Sequence, residues 1–96
     1  MYIRITRGQL DPARLDDPGH EPVAQALSAT IRRLPGYRSF MAGLDPATAR
    51  AILVSTWDTE EHARWSPDAL GDLPSRIEAL GTKTEPPEIF EVTIQP

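Results

Sequence analysis

The chain has 96 residues and a formal net charge of −4, with acidic and basic side chains interspersed. The length fits one domain spanning residues 1–96, and the charge argues against nucleic acid as a partner, because a phosphate footprint needs a basic patch. Cysteine is absent, which excludes disulfides, thiolate chemistry and cysteine metal sites.

No apolar run approaches the ~20 residues of a membrane span, so no membrane partner is expected. The chain begins directly with a strand-like segment. A secretory leader is therefore not expected, and a cytoplasmic location is the default. A domain of this size buries only about two-thirds of its unfolded surface and gains from a partner subunit.

Tyr2 to Thr6 alternates, with Ile3 and Ile5 on one side and Tyr2, Arg4 and Thr6 on the other. That pattern predicts a strand ending near Gly8. Asp11 to Glu21, rich in Asp, Pro and Gly, reads as a loop. Pro22 suits a first helical position. Val23, Leu27, Ile31 and Leu34 then recur at helical spacing, and Pro35-Gly36 stops the helix.

Tyr37 to Gly43 predicts a second strand, followed by a turn at Leu44-Asp45-Pro46-Ala47-Thr48. The phase of that strand is open: either Tyr37, Ser39 and Met41 share the inner face, or Arg38, Phe40 and Ala42 do. Ala49 to Trp57 is the most apolar strand and should be central. Asp58-Thr59-Glu60-Glu61 has the carboxylate-x-x-Glu form of a capped helix start. Ser66-Pro67-Asp68 is a second start signal. Leu70, Leu73, Ile77 and Leu80 make an apolar stripe that Pro74 should kink or split. Glu85-Pro86-Pro87 leads stiffly into a last strand, Glu88 to Ile94.

The order β-α-β-β-α-β predicts an α+β, ferredoxin-like fold: a four-stranded antiparallel sheet with both helices on one face. The other face is expected to carry Tyr2, Arg4, Thr6, Ala51, Leu53, Ser55 and Trp57. That mixture suits a homodimer whose two sheets enclose a partly polar cavity.

With these features in place, the chain resembles the dimeric α+β barrel superfamily, and most closely its antibiotic-biosynthesis-monooxygenase branch. The resemblance covers nearly the whole chain. It rests on the element order, on Leu34-Pro35-Gly36-Tyr37 before the second strand, and on Trp57-Asp58-Thr59-Glu60-Glu61 after the third. It implies a reaction without metal or flavin, hence no cofactor. A hydroxylated aromatic substrate would be deprotonated and its carbanion would reduce oxygen directly. The protein would supply orientation and electrostatic stabilisation in an enclosed pocket.

Trp57 matches the family's pocket tryptophan at the end of the third strand. The haem-degrading relatives add an Asn on the first strand and a His ten residues beyond that tryptophan. Thr6 and Pro67 stand at those places here, and Asn is absent from the whole chain. The resemblance therefore does not extend to haem degradation.

Trp57 and Arg4 are the catalytic candidates that remain. Thr6, Tyr37, Ser55, Trp65 and His62 are the candidate pocket residues around a small aromatic or quinone-like ligand. Each has an alternative. Trp57 could be core, Trp65 an anchor for the second helix, and His62 a solvent-facing side chain one turn into its helix. Arg4 reads as an ion-pair partner, with Glu91 opposite it, or as an anion clamp. The ion pair is favoured because a lone buried cation is costly. His20 and His62 lie far apart and make no metal site. Beside the oxygenase-like enzyme stand two rival readings: a non-catalytic small-molecule-binding or stress-related module, and a dimerisation module with a filled cavity.

Overall fold

The computed structural model describes residues 1–96 throughout. Its strands are β1 (Tyr2–Gln9), β2 (Tyr37–Asp45), β3 (Arg50–Trp57), β4 (Lys83–Thr84) and β5 (Glu88–Glu91). Its helices are α1 (His20–Ile31), α2 (Glu60–Ala63) and α3 (Leu73–Ala79), with 3₁₀ turns at Pro12–Arg14 and Pro67–Leu70.

The sheet runs β2-β3-β1, and both β4 and β5 pair antiparallel with the far side of β1. The expected last strand, Glu88 to Ile94, begins at Glu88 but ends at Glu91, and an unexpected two-residue strand, β4, precedes it. Pro86 and Pro87 lack the N–H groups a ladder needs, so pairing stops at Glu85, whose N–H still reaches the Arg7 carbonyl at 2.9 Å. It resumes at Glu88 opposite Ile5.

Local chemistry accounts for most boundaries. Gly36 takes a left-handed φ of +79° after α1 and turns the chain into β2. Thr59, rather than Asp58, caps α2: its hydroxyl accepts from the His62 N–H at 3.1 Å. Ser66 accepts from the Asp68 N–H and opens the second 3₁₀ turn, as its Ser-Pro pair predicts. Pro74 does not kink a long helix. The stripe breaks at Gly71, where φ is +61°, and Pro74 sits in the first turn of α3. A missing N–H costs nothing at that position.

The faces of the sheet are the reverse of the expected ones. Tyr2 lies opposite Trp57, Arg4 opposite Ser55 and Thr6 opposite Leu53. These residues lie under the helices. The buried cluster joins Trp57 to Val23, Leu27 and Ile31 of α1, to Ala63 of α2 and to Leu73 of α3. Leu53, Phe40, Tyr2 and Ile89 pack against it from the same sheet face.

The open face carries the aliphatic set instead. Ile3, Ile5, Ile52 and Val54 line it, with Met41 72% exposed and Phe90 47% exposed. The phase of β2 follows neither expected set. A bulge between Tyr37 and Ser39 leaves Arg38 as the extra residue, so Tyr37 pairs with Trp57 while Phe40 pairs with Ser55. A bulge inserts one residue and resets the alternation. Tyr37 and Phe40 consequently share the covered face, and Ser39 and Met41 take the open one.

Candidate active site

A cavity of about 440 Å³ lies between the covered sheet face and the helices. That is within the range of small-molecule sites, ~300–1,000 Å³. Its sheet floor is Arg4 and Thr6 of β1, Phe40 of β2, and Leu53 and Ser55 of β3. Leu27 and Ile31 come from α1, and Trp65 and Pro67 from the segment after α2. Leu70, Pro74, Ile77 and Glu78 form the α3 side, and Thr82 to Glu85 and Pro87 complete the rim.

Arg4 is the one charged residue of the chain that is buried, at 5% exposed. It makes no ion pair with Glu91 or any other carboxylate; Glu91 lies opposite Tyr2 instead. Its Nη1 donates to the Ala63 carbonyl at 3.0 Å and to the Trp65 carbonyl at 2.8 Å. The Ala63 carbonyl is free because it ends α2, a single turn, and the last carbonyls of a helix have no partner within it; Trp65 lies just beyond that end. The cation also complements the negative end of that turn. The guanidinium carbon sits 3.6 Å from the centre of the Trp65 ring, an attractive cation–π arrangement. Burial lowers the Arg4 pKa to about 10, which leaves it charged at neutral pH.

Ser55 stands directly across from Arg4, also 5% exposed. Its Oγ accepts from the Trp57 indole N–H at 2.8 Å. That bond uses the oxygen as an acceptor and leaves the Ser55 hydroxyl hydrogen to be donated elsewhere.

Trp57 itself is fully buried and forms no part of the cavity wall. Its ring meets Tyr37 edge-on at 6.0 Å and Trp65 at 6.3 Å. Any contact of Trp57 with a ligand is therefore indirect, through Ser55. The indole facing the cavity belongs to Trp65, eight residues on.

The remaining candidates divide. Thr6, Ser55 and Trp65 meet at the cavity with Arg4; Tyr37 and His62 do not. Tyr37 packs on Trp57. His62 is part of a surface pair, its Nδ1 lying 2.6 Å from Asp58 Oδ1. A carboxylate only accepts, so Nδ1 carries the proton. That bond from His62 holds the Asp58 carboxyl below its ordinary range. The pair covers Gly36, where a Cβ would collide with both side chains.

Sequence reasoning did not find the backbone acceptors of Arg4, which no side-chain pattern reveals. Leu53, expected on the cavity face, does line the cavity, whereas Phe40 stands in only one of the two open alternatives for β2. Phe40 was within reach of a pattern argument, had the bulge at Arg38 been anticipated.

No known family's sequence profile matches the chain, and no curated protein is significantly similar to it in sequence. Solved structures are similar in shape. SnoaB, a cofactor-independent oxygenase from Streptomyces nogalater, superposes with a TM-score of 0.72 at 17% identity, covering 98% of this chain and 94% of that one. A Deinococcus radiodurans protein provisionally named an antibiotic biosynthesis monooxygenase gives 0.69 at 12% identity, covering 99% and 95%. Rv0793 from Mycobacterium tuberculosis gives 0.64 at 15% identity, covering 98% and 96%. The chain thus has the ferredoxin-like α+β fold of the antibiotic-biosynthesis-monooxygenase structures.

Proposed function

We propose that this protein is a small cofactor-independent oxygenase-like enzyme that acts on an aromatic or quinone-like compound and works as a homodimer. The observation that carries the reading is the cavity under the helices, apolar along Leu27, Ile31, Phe40 and Leu53 and polar at Arg4 and Ser55. A flat aromatic body suits the apolar walls. An oxygen substituent suits the polar end. The shared fold with SnoaB, a cofactor-independent oxygenase, supports the same chemistry.

In such a reaction a ring CH₂ group next to a hydroxylated ring loses a proton. The negative charge spreads onto the substrate oxygen, where a fixed cation and a hydroxyl donor stabilise it in a dry site. The carbanion reduces O₂, one oxygen atom enters the ring as a carbonyl, and the other leaves as water. CH₂ and O₂ become C=O and H₂O, so no outside reductant is consumed. Arg4 and Ser55 are the residues that would carry the charge, Thr6 a further hydroxyl donor, and Trp65 the aromatic wall.

The homodimer rests on the open sheet face. Ile3, Ile5, Ile52, Val54, Met41 and Phe90 form a contiguous apolar surface on a single chain, and such a patch marks an interface.

One observation favours a second reading, a non-catalytic small-molecule-binding module. The carboxylates on the cavity wall, Glu78 and Glu85, are exposed, and no His or carboxylate is bonded to Arg4 or Ser55. A proton acceptor is therefore not built into the polar end. An oxygen electrode separates the two readings. Uptake of one O₂ per anthrone-type or hydroxynaphthalene substrate, lost in Ser55→Ala, supports the enzyme. Ligand-dependent melting shifts without oxygen uptake support the binding module.

A further inference from the structure

The cavity wall contributed by α3 is held unequally at its two ends. Leu73, in the first turn, is 3% exposed and belongs to the core cluster with α1. Ile77 and Leu80, further along, are only half-buried. The mouth of the cavity lies beside this looser end. Glu78 of α3 marks one lip, and Lys83, Thr84 and Glu85 mark the other, all of them exposed members of the wall. The second lip is fixed to the sheet, because Lys83 and Thr84 pair with Gln9 and Gly8 of β1.

Two glycines bracket α3. Gly71 precedes it at φ +61°, and no atom lies within 4 Å of the place a Cβ would take. Rotation there meets no obstacle. Gly81 follows at φ +85°, in a turn closed by the Thr82 N–H on the Ile77 carbonyl at 3.4 Å, which is long for such a bond. Residues at the ends of an element, each free to change φ and ψ, are what a hinge requires.

The looser end is held by a strap from the loop before α1. Arg14 Nη1 donates to the Ala79 carbonyl at 3.0 Å, one of the last carbonyls of α3 and so without a partner inside the helix. Asp17 orients the guanidinium by accepting from Nη2 at 3.0 Å, and Asp17 is itself fixed by the Gly19 N–H at 2.8 Å. His20 Nε2 donates to the Arg14 carbonyl at 2.8 Å. Leu80 rests on Gly19, where a Cβ would meet its Cδ2 at 2.9 Å. No strap residue belongs to the cavity wall, so the strap acts on the cavity only through α3.

We propose that α3 is a hinged lid on this cavity. It pivots about its Leu73 end through Gly71 and Gly81, and Arg14 latches its far end shut. The proposal rests on the reading of the cavity as a ligand site and adds the way in: between α3 and β4, when the bond from Arg14 to Ala79 opens. Capping the helix end is the simpler role for Arg14. A cap alone alters stability, whereas a latch alters the rate of passage.

Two measurements on the intact chain test the lid. Native-state hydrogen exchange reads it without a ligand. Arg14→Ala should speed exchange of the Leu80, Gly81 and Thr82 amides roughly tenfold, as expected for one lost hydrogen bond. The Arg76 amide and those of α1 should change little. Equal acceleration at all these amides, or none at any, overturns the hinge.

Stopped-flow fluorescence with N-phenyl-1-naphthylamine, a neutral apolar probe, reads the gate. Arg14→Ala should raise its association and dissociation rates together, with little change in their ratio. The chain has no cysteine, so a single bridge can be placed across the latch. A Cβ at Gly81 would lie 3.1 Å from the Asp11 Cβ, near the ~3.8 Å of a disulfide. Oxidation of the Asp11→Cys, Gly81→Cys variant should slow probe entry roughly tenfold or more, and reduction should restore it. The reduced form is the control for strain at Gly81. Equal rates in the oxidised and reduced forms overturn the proposal. If the probe binds no form, the ligand reading falls, and the exchange pattern alone decides whether α3 is hinged.

Discussion

The two faces of the sheet in this protein invert the usual division of labour. The face under the helices carries a charge, two hydroxyls and a cavity beside its packed aromatic core. The face left open by the single chain is lined by isoleucine, valine, methionine and phenylalanine. If the fold ended with one chain, the face rich in aliphatic side chains should have taken the helices. The inversion is understandable when the open face is also destined for burial against a second sheet. The helix side can then keep space and polarity for a ligand. This contrast divides energetic roles: Trp57 holds the covered side together, whereas Ile5 and Val54, under the proposed homodimer, would contribute mainly to association.

The largest expected effect tests the covered side. Trp57→Ala removes the largest fully buried side chain and should cost about 3–5 kcal/mol in chemical denaturation. Trp57→Phe keeps most of the volume and loses the bond to Ser55, so about 1 kcal/mol is expected. If Trp57→Ala unfolds at the same denaturant concentration as the unaltered chain, the core does not centre on this indole.

The open side should respond differently. Ile5→Asp places a carboxylate in the middle of the aliphatic face. The fold of the single chain should tolerate it, because surface substitutions usually change stability by only about 0.5 kcal/mol. Association should not, because an unpaired charge buried between sheets costs several kcal/mol. Sedimentation velocity at micromolar concentration should show a dimer for the unaltered protein and a 10.6 kDa monomer for the variant. A monomer in both cases breaks the comparison, since the open face would then need another occupant.

The sequence disclosed the order of elements and misassigned their faces, for a definable reason. Order is written in local signals: the alternation of Tyr2 to Thr6, the Pro35-Gly36 stop and the Ser66-Pro67 start each act within a few residues. Face assignment depends on what covers each side, and Ile3/Ile5 and Tyr2/Arg4/Thr6 are both apolar enough to be covered. The bulge at Arg38 leaves no clear local mark, yet it decides that Phe40 and not Ser39 reaches the cavity. The partners of Arg4 are carbonyl oxygens 59 and 61 residues away, and every residue has a carbonyl. Trp57 stood out because a strand ends on it. Trp65 stood out less, although its ring is the one on the cavity wall. A position at a strand end shows where the backbone stops and leaves open whether the side chain lies in the core or at a site.

A smaller effect is expected where α1 hands over to β2, beside the covered face. Gly36→Ala forces a Cβ into a left-handed residue already overlaid by Asp58 and His62. The backbone cost alone is about 1 kcal/mol, and displacement of the surface pair adds to it. Asp58→Ala in the same chain should recover part of the loss, because it clears one of the two obstacles. A melting temperature for Gly36→Ala equal to that of the unaltered protein would mean the turn has room the structure does not show.

The smallest effect is a pH dependence, and it too belongs to the covered side. Asp58 is held below its ordinary range first by its bond to His62. Asp17 is held there first by the Gly19 N–H and then by Arg14. A carboxyl with a depressed folded-state pKa contributes stability that is fully present above its unfolded value, about 4, and is lost as pH falls through the folded value. Asp58 is exposed and Asp17 partly so, so the contribution is modest and weakened by salt. Melting temperature should fall as pH drops below about 4, and Asp58→Asn should flatten that fall slightly without changing the association state. The open face carries the Arg7–Glu88 pair at 3.0 Å as its one ion pair, with both side chains near half exposed. Such exposed pairs contribute little, so Glu88→Gln should leave the acid limb nearly unchanged. An equal flattening in Glu88→Gln and Asp58→Asn would show that acid sensitivity is spread over the whole surface and does not arise at the loops flanking the covered face.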